Sequence, residues 1–438
     1  MKKQFLIKLL PAAIIAASMA TPAQAANWLM LQGTEADHQA PRAKVWGFIQ
    51  AEYQQTDDTK LTAGPASGQS AAFNLVKPQN TSANSFNIRR ARIGVRGANL
   101  PLDNKVNYFL LAEFGNNGIT TGQNASKGQL TDASITLNHI PGARIRVGQF
   151  KTPGSEEGFQ GIAVFNYINF TNMTDRLLLE RHFDTSTTST GRNGPVGAFR
   201  DQGIEVFDSF KHNGWDTSYA VMIGNGNGLG RIDNNDAKDT YLYLSTEMDI
   251  PGGKKGRKNG LKFYVWNQDG KRTIDGVEKN RTRSGLGTTF LNSKYRFAAE
   301  YVQADGMIFG GTKGAGAPGG EYNNGNPVTF NVFTDQKANG YYLDFGYRII
   351  PNLELNVRYD ALDSATETDA ATGTGQDKYR EFRTTTLGAQ YFVNKKTVLR
   401  ANYEIRDIKA PKAAAGAPVH DILKSVDNRI ALQLSILY

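Results

Sequence analysis

The sequence contains no cysteine in 438 residues. Disulfide staples, thiolate metal sites and thiol nucleophiles are therefore excluded. It also lacks any stretch approaching the roughly 20 consecutive apolar residues that a membrane-spanning helix requires, and no segment sustains a helical period. Histidine is scarce, at five residues with no metal-ligand spacing, so neither a metal nor a cofactor is expected. What is abundant is glycine, at 46 residues, and aromatic side chains, with 4 Trp, 18 Tyr and 23 Phe. That balance points to many turns and aromatic-rich strands.

The first residues read as a secretory signal. Lys2, Lys3 and Lys8 supply a positive start, Leu9 to Met19 an apolar middle, and Ala23-Gln24-Ala25 a small-residue cleavage site. The expected division is a signal peptide over 1–25, an N-terminal periplasmic segment over 26–43, and one β-domain over 44–438.

From Lys44 onward the chain alternates with a period of two. In Leu353–Asp360, for example, Leu353, Leu355, Val357 and Tyr359 oppose Glu354, Asn356, Arg358 and Asp360. The final segment sets Ile430, Leu432, Leu434, Ile436 and Tyr438 against Arg429, Ala431, Gln433 and Ser435. About sixteen strands are expected, starting near Lys44, Ser85, Lys105, Leu130, Ala143, Asp201, Trp215, Thr240, Gly260, Arg281, Tyr295, Asn339, Leu353, Tyr379, Lys396 and Asp427. Short links such as His139–Gly142 and Asn394–Lys395 alternate with long ones such as Thr56–Asn84 and Thr152–Arg200. Tight turns on one rim and long loops on the other define an all-β, transmembrane antiparallel barrel of the bacterial outer membrane. An even strand number puts both ends in the periplasm and the long loops outside. The terminal Tyr438, preceded by alternating apolar residues, resembles the C-terminal signal read by the outer-membrane assembly machinery.

The formal charge of +9 is spread over alternating strands, which argues against nucleic acid as a partner. In Phe86–Gly97 the period places Arg90, Arg92, Gly94 and Arg96 on one face and Ala91, Ile93 and Val95 on the other. An arginine facing lipid at mid-membrane costs about 2–4 kcal/mol, so this row points into the lumen. Arg144 and Arg146 repeat the arrangement, with Ile145 and Val147 outward. Arginine keeps its charge, and its donor fork matches carboxylate and phosphate, so such a row favours small anions. The competing reading pairs these arginines with lumen acids such as Glu52, Glu113 or Asp132, giving a general-diffusion or organic-solute channel with little selectivity. Arg89 falls on the nominal lipid face, which calls for a local bulge or for snorkelling at the rim.

The run Phe86–Gly97, followed by Ala133-Ser134-Ile135, Arg144–Lys151 and Leu179-Glu180-Arg181, resembles the phosphate-selective porin O and P family over Lys44 to Arg181. The resemblance implies a sixteen-stranded homotrimeric porin whose third loop folds inward to narrow each pore. It also implies that Arg90 and Arg181 line an anion path and that Lys105 is a basic position near the periplasmic rim. The chain departs from the pattern of the best-known phosphate channels at Arg92, Gln149 and Lys151, so phosphate itself is left open. The third loop, 152–200, is long enough to expect a function, and Arg176, Arg181 and Lys151 are its candidate constriction residues. Outer-membrane lipid and lipopolysaccharide are the expected surroundings. An outer-membrane enzyme needs a nucleophile and base at one depth, and the scattered histidines offer no such pair. Asp233, Asp236 and Asp239 read as solvated loop acids rather than a calcium site, and 254–258 as a basic turn.

Overall fold

The computed structural model describes residues 27–31, 34, 41–56, 84–99, 103–116, 128–180, 188–190, 197–229, 233–252, 259–274, 276–312, 322–323, 326–327, 329–367, 376–417, 419–420, 423 and 428–438. Sixteen antiparallel strands close into one barrel. The first eight are β1 (Lys44–Thr56), β2 (Asn84–Ala98), β3 (Val106–Glu113), β4 (Gln129–Leu137), β5 (Arg144–Lys151), β6 (Arg200–His212), β7 (Trp215–Gly224) and β8 (Asp239–Ile250). The second eight are β9 (Asn259–Ile274), β10 (Val277–Asn292), β11 (Tyr295–Asp305), β12 (Lys337–Ile350), β13 (Leu353–Ser364), β14 (Arg380–Phe392), β15 (Thr397–Lys409) and β16 (Arg429–Leu437). Each strand pairs with its sequence neighbours, and β16 returns to β1 from Phe48↔Leu437 to Thr56↔Arg429. Beyond the last strand, the Tyr438 N–H donates to the Gly47 carbonyl at 3.0 Å, and its hydroxyl donates to the Arg92 carbonyl at 2.9 Å. The terminal tyrosine thus fastens the seam.

The alternation sorts the two faces. Along β9, Tyr264 and Trp266 are buried in the interior while Phe263 and Val265 are exposed on the outside. Along β15, Leu399, Tyr403 and Ile405 are exposed outward, whereas Arg400, Asn402 and Glu404 are buried inward. An apolar outer surface is what lipid requires, and across the lipid-facing span it sends the polar strand residues to the lumen. One outer link departs from the expected rhythm: Ile274 and Val277 pair directly, so β9 and β10 are joined by a tight hairpin on the long-loop rim. The expected start at Arg281 is accordingly four residues late.

The register slips at β2. Gln50 opposes Arg90 and Ala51 opposes Ile88, so Arg89 is the inserted residue of a β-bulge. Arg89 and Arg90 are both turned inward and buried, which settles the sequence ambiguity in favour of the bulge. Glu113, on β3, stabilises the distortion. One of its oxygens accepts the N–H groups of Ala91 and Gly115, each at 2.8 Å, and the other accepts Arg92 Nε at 2.7 Å. Gly115 is needed for this approach, since a Cβ there would lie 2.6 Å from the Arg89 carbonyl oxygen. A second slip, at Leu111/Ala112, inserts Thr131 in β4.

The outward face predicts its own test. Leu387, near the middle of β14 and 48% exposed, faces the membrane, so Leu387→Arg should destabilise the barrel by about 2–4 kcal/mol. Denaturant unfolding from lipid vesicles measures this, and an unchanged midpoint would contradict the assigned face.

Candidate functional site

The lumen is not an empty tube, because the segment that follows β5 lies against its inner wall. Tyr167 donates its hydroxyl to Asp344 Oδ1 at 2.6 Å on β12, and the Ile168 N–H donates to Asn402 at 2.8 Å on β15. Asn169 reaches Glu404 at 2.8 Å and accepts from Arg89 at 3.0 Å. Asn172 binds Asp360 through both its backbone and its side chain, at 2.9 and 2.7 Å. Burial, with Asp344 beside it, holds the Tyr167 phenol well above its ordinary value, so it remains a donor.

Basic residues of the wall supply most of the remaining ties. Lys151 Nζ donates to the carbonyls of Gly158, Phe159 and Gln160, at 2.9, 3.3 and 2.6 Å. Arg358 binds Glu157 at 2.7 Å and the Asn169 carbonyl at 3.0 Å. Lys262 takes Glu156 at 2.5 Å, Arg400 the Ala163 carbonyl at 3.3 Å, and Arg283 the Leu177 carbonyl at 2.9 Å. Glu180 is gripped by Arg272 and Arg281, each at 2.6 Å. A hydrogen bond to a charged group is worth about 1.5–3 kcal/mol, so a ring of them offsets a large part of the entropy lost in ordering the loop. Apart from Lys151, this ring was not assigned a role from sequence. Its only signal was that Arg358 and Arg400 occupy the polar positions of their strands.

Of the residues expected to face the lumen, Arg90, Arg92 and Arg146 are buried on the inner side of the wall, and Arg92, Arg144 and Arg146 are each matched to an acid. Arg92 binds Glu113 and lies 5.6 Å from the Phe48 ring centroid. Arg89 binds Glu52 at 3.1 Å, and Arg200 binds Asp132 at 3.0 Å. Arg146 is fully buried, binds Glu205 at 2.8 Å and lies 4.1 Å from the Phe207 centroid. Arg144 is half-buried, 3.4 Å from Asp208. Arg96 lies over Phe109 at 5.5 Å, and Lys105 is exposed on the turn before β3. Arg176 is buried in a short helical turn, 3.9 Å from the Phe382 centroid. Lys151 belongs to β5, not to the loop, and its ammonium is taken by loop carbonyls. Arg181, like the basic turn at 254–258 and the signal peptide, lies outside the described residues.

Arg90 differs from these. Its acceptor is the neutral Gln50 Oε1, at 2.9 Å, and it is ion-paired to no acid among the described residues. Nor do these acids gather into a cation site: Asp233 pairs with Lys238, while Asp239, expected as a solvated loop acid, is instead buried at the start of β8 and pairs with Arg272. Among the described residues no group of three such side chains is placed to hold a metal.

Removing one tie should loosen the loop without opening the barrel. Arg358→Met leaves Glu157 without its cation and Asn169 without its donor. Hydrogen exchange over residues 156–172 should accelerate by about tenfold or more while the strands stay protected. Unchanged exchange would show that the cation does not hold the loop.

Residues 60–185 match the family model described as phosphate-selective porin O and P, a span that takes in β2 to β5, with the arginine row, and enters the third loop. No curated protein matches the chain. Among solved structures, a loop L8 deletion mutant of OmpT, an outer membrane protein of Vibrio cholerae, is 9% identical with a TM-score of 0.53, covering 90% of this chain and 99% of that one. An anion-selective porin from Comamonas acidovorans is 13% identical with a TM-score of 0.51, over 91% and 99%. The outer membrane channel DcaP of Acinetobacter baumannii is 15% identical with a TM-score of 0.50, over 93% and 100%. At such identities these are likenesses of fold. The family match over residues 60–185 and the closed sixteen-stranded barrel together support an outer-membrane porin, and the second to fifth strands with the third-loop entry are the part similar to the phosphate-selective porin O and P family.

Proposed function

We propose that the channel favours small anions. The observation that carries this reading is Arg90, a lumen guanidinium whose partner is an uncharged glutamine. Its electrostatic surroundings add Arg89, Arg92, Lys151 and Arg200 against Glu52, Glu113 and Asp132. Arg90 is thus a guanidinium set among other cations, with no acid paired to it among the described residues. Confined charge of one sign raises the local concentration of the opposite ion. Phosphate is the candidate solute drawn from the family resemblance, and its oxygens suit the arginine fork. Assembly as a homotrimer is likewise drawn from that resemblance, as are lipopolysaccharide and lipid as surroundings.

A second reading has its own support. Most lumen basic residues are taken up by acids or by third-loop carbonyls, which favours a general-diffusion or organic-solute channel with a permeability ratio near one. Arg90→Gln separates the two in planar bilayers. The anion-favouring reading expects the anion-to-cation permeability ratio to fall several-fold, on the order of 3 to 10, and added phosphate to block chloride current less in the variant than in the parent. An unchanged ratio would remove Arg90 from the path.

A further inference from the structure

Residues Trp28–Leu31 form one helical turn inside the barrel rather than below it, where a periplasmic position was expected for 26–43. Trp28 and Leu29 are 6% and 1% exposed, packed with Phe159 of the third loop and with Phe207, Ala220 and Tyr243 of the wall. Three polar ties fix the turn. Asn27 donates to Ser218 Oγ at 2.6 Å, Arg146 donates to the Leu29 carbonyl at 3.3 Å, and the Trp28 indole donates to Glu156 Oε1 at 2.8 Å. Glu156 is shared, because its other oxygen accepts from Lys262. The indole also lies directly on the loop, 3.5 Å from where a Cβ at Gly161 would sit. Further along, the chain is back at the short-turn rim: Pro41 accepts from the Ala98 N–H at 3.2 Å, and Arg42 accepts from the Tyr108 hydroxyl at 2.6 Å.

We propose that Asn27–Leu31 is a plug that enters from the periplasmic side, braces the third loop against the wall, and restricts conduction while seated. Three features carry this. An aromatic and an aliphatic side chain are buried at a depth that a mere connector does not need. The indole donates to Glu156, so the plug joins the same network that places the loop. Its ties are two charge-assisted bonds and one neutral one, whereas the loop is held by many more charged contacts, so the plug is the part that leaves first. From Leu31 to Pro41 is ten residues, a reach of about 33–36 Å when extended, so release requires no opening of the barrel.

The proposal rests on the chain being a channel and not on its preference for anions. The two are read separately, selectivity from the reversal potential and the plug from the size and statistics of single-channel currents. Trp28→Ala combined with Leu29→Ala should raise single-channel conductance by about twofold or more. In this cysteine-free chain, Asn27→Cys with Ser218→Cys, joined by a short bis-methanethiosulfonate reagent that forms one disulfide with each thiol and releases methanesulfinate, should hold the channel at its lowest level, and reduction should restore the higher openings. Equal conductance in the folded double variant and the parent would overturn the plug. So would identical current statistics in the cross-linked and reduced forms, a result that decides the matter even if the double variant does not fold.

Discussion

The structure depends on how buried cations are satisfied inside a closed barrel. Lipid forces every strand to send its polar side chains inward, and sixteen strands deliver many arginines and lysines to a confined space. An unmatched buried charge is costly, so the arrangement is stable only if the lumen supplies acceptors. The third loop supplies them. Its carbonyls meet Lys151, Arg283, Arg358 and Arg400, and its carboxylates meet Lys262, Arg272, Arg281 and Arg358. The loop's position and the wall's charge are therefore one solution, and neither can change alone.

Two kinds of lumen cation follow from this. One kind holds protein: Lys151 is the plainest case, with three carbonyls around one ammonium. The other keeps charge that no acid cancels, and Arg90 is its clearest member. The β-bulge explains how the two come to sit side by side. Inserting Arg89 lets consecutive arginines face inward, and Glu52 and Asn169 take the first while Arg90 is left to glutamine. Without the slip, parity would send Arg89 to lipid.

Much of the barrel was legible because each face of a strand meets one uniform solvent, and a period of two records that directly. Strand starts at Lys44, Trp215, Tyr295 and Leu353 coincide with those expected. The bulge was legible only as an alternative, since two adjacent arginines break parity without saying how. What sequence could not give was pairing. Arg358 and Glu157 are 201 residues apart, and nothing local marks either as the other's partner. The buried turn at Trp28–Leu31 was missed for a different reason: four residues are too few to display a helical period, and Trp28 and Leu29 fall in the segment expected to lie in the periplasm. The hairpin between Ile274 and Val277 was hidden because both flanking segments continue the same alternation.

The most direct test of the account is the reversal potential of the unmodified porin across a bilayer bearing a potassium chloride gradient. If Arg90 leaves the lumen positive once the third loop is held, chloride should be more permeant than potassium. A potassium-selective channel would contradict the account, because it would place the surplus of charge in the lumen on the acids.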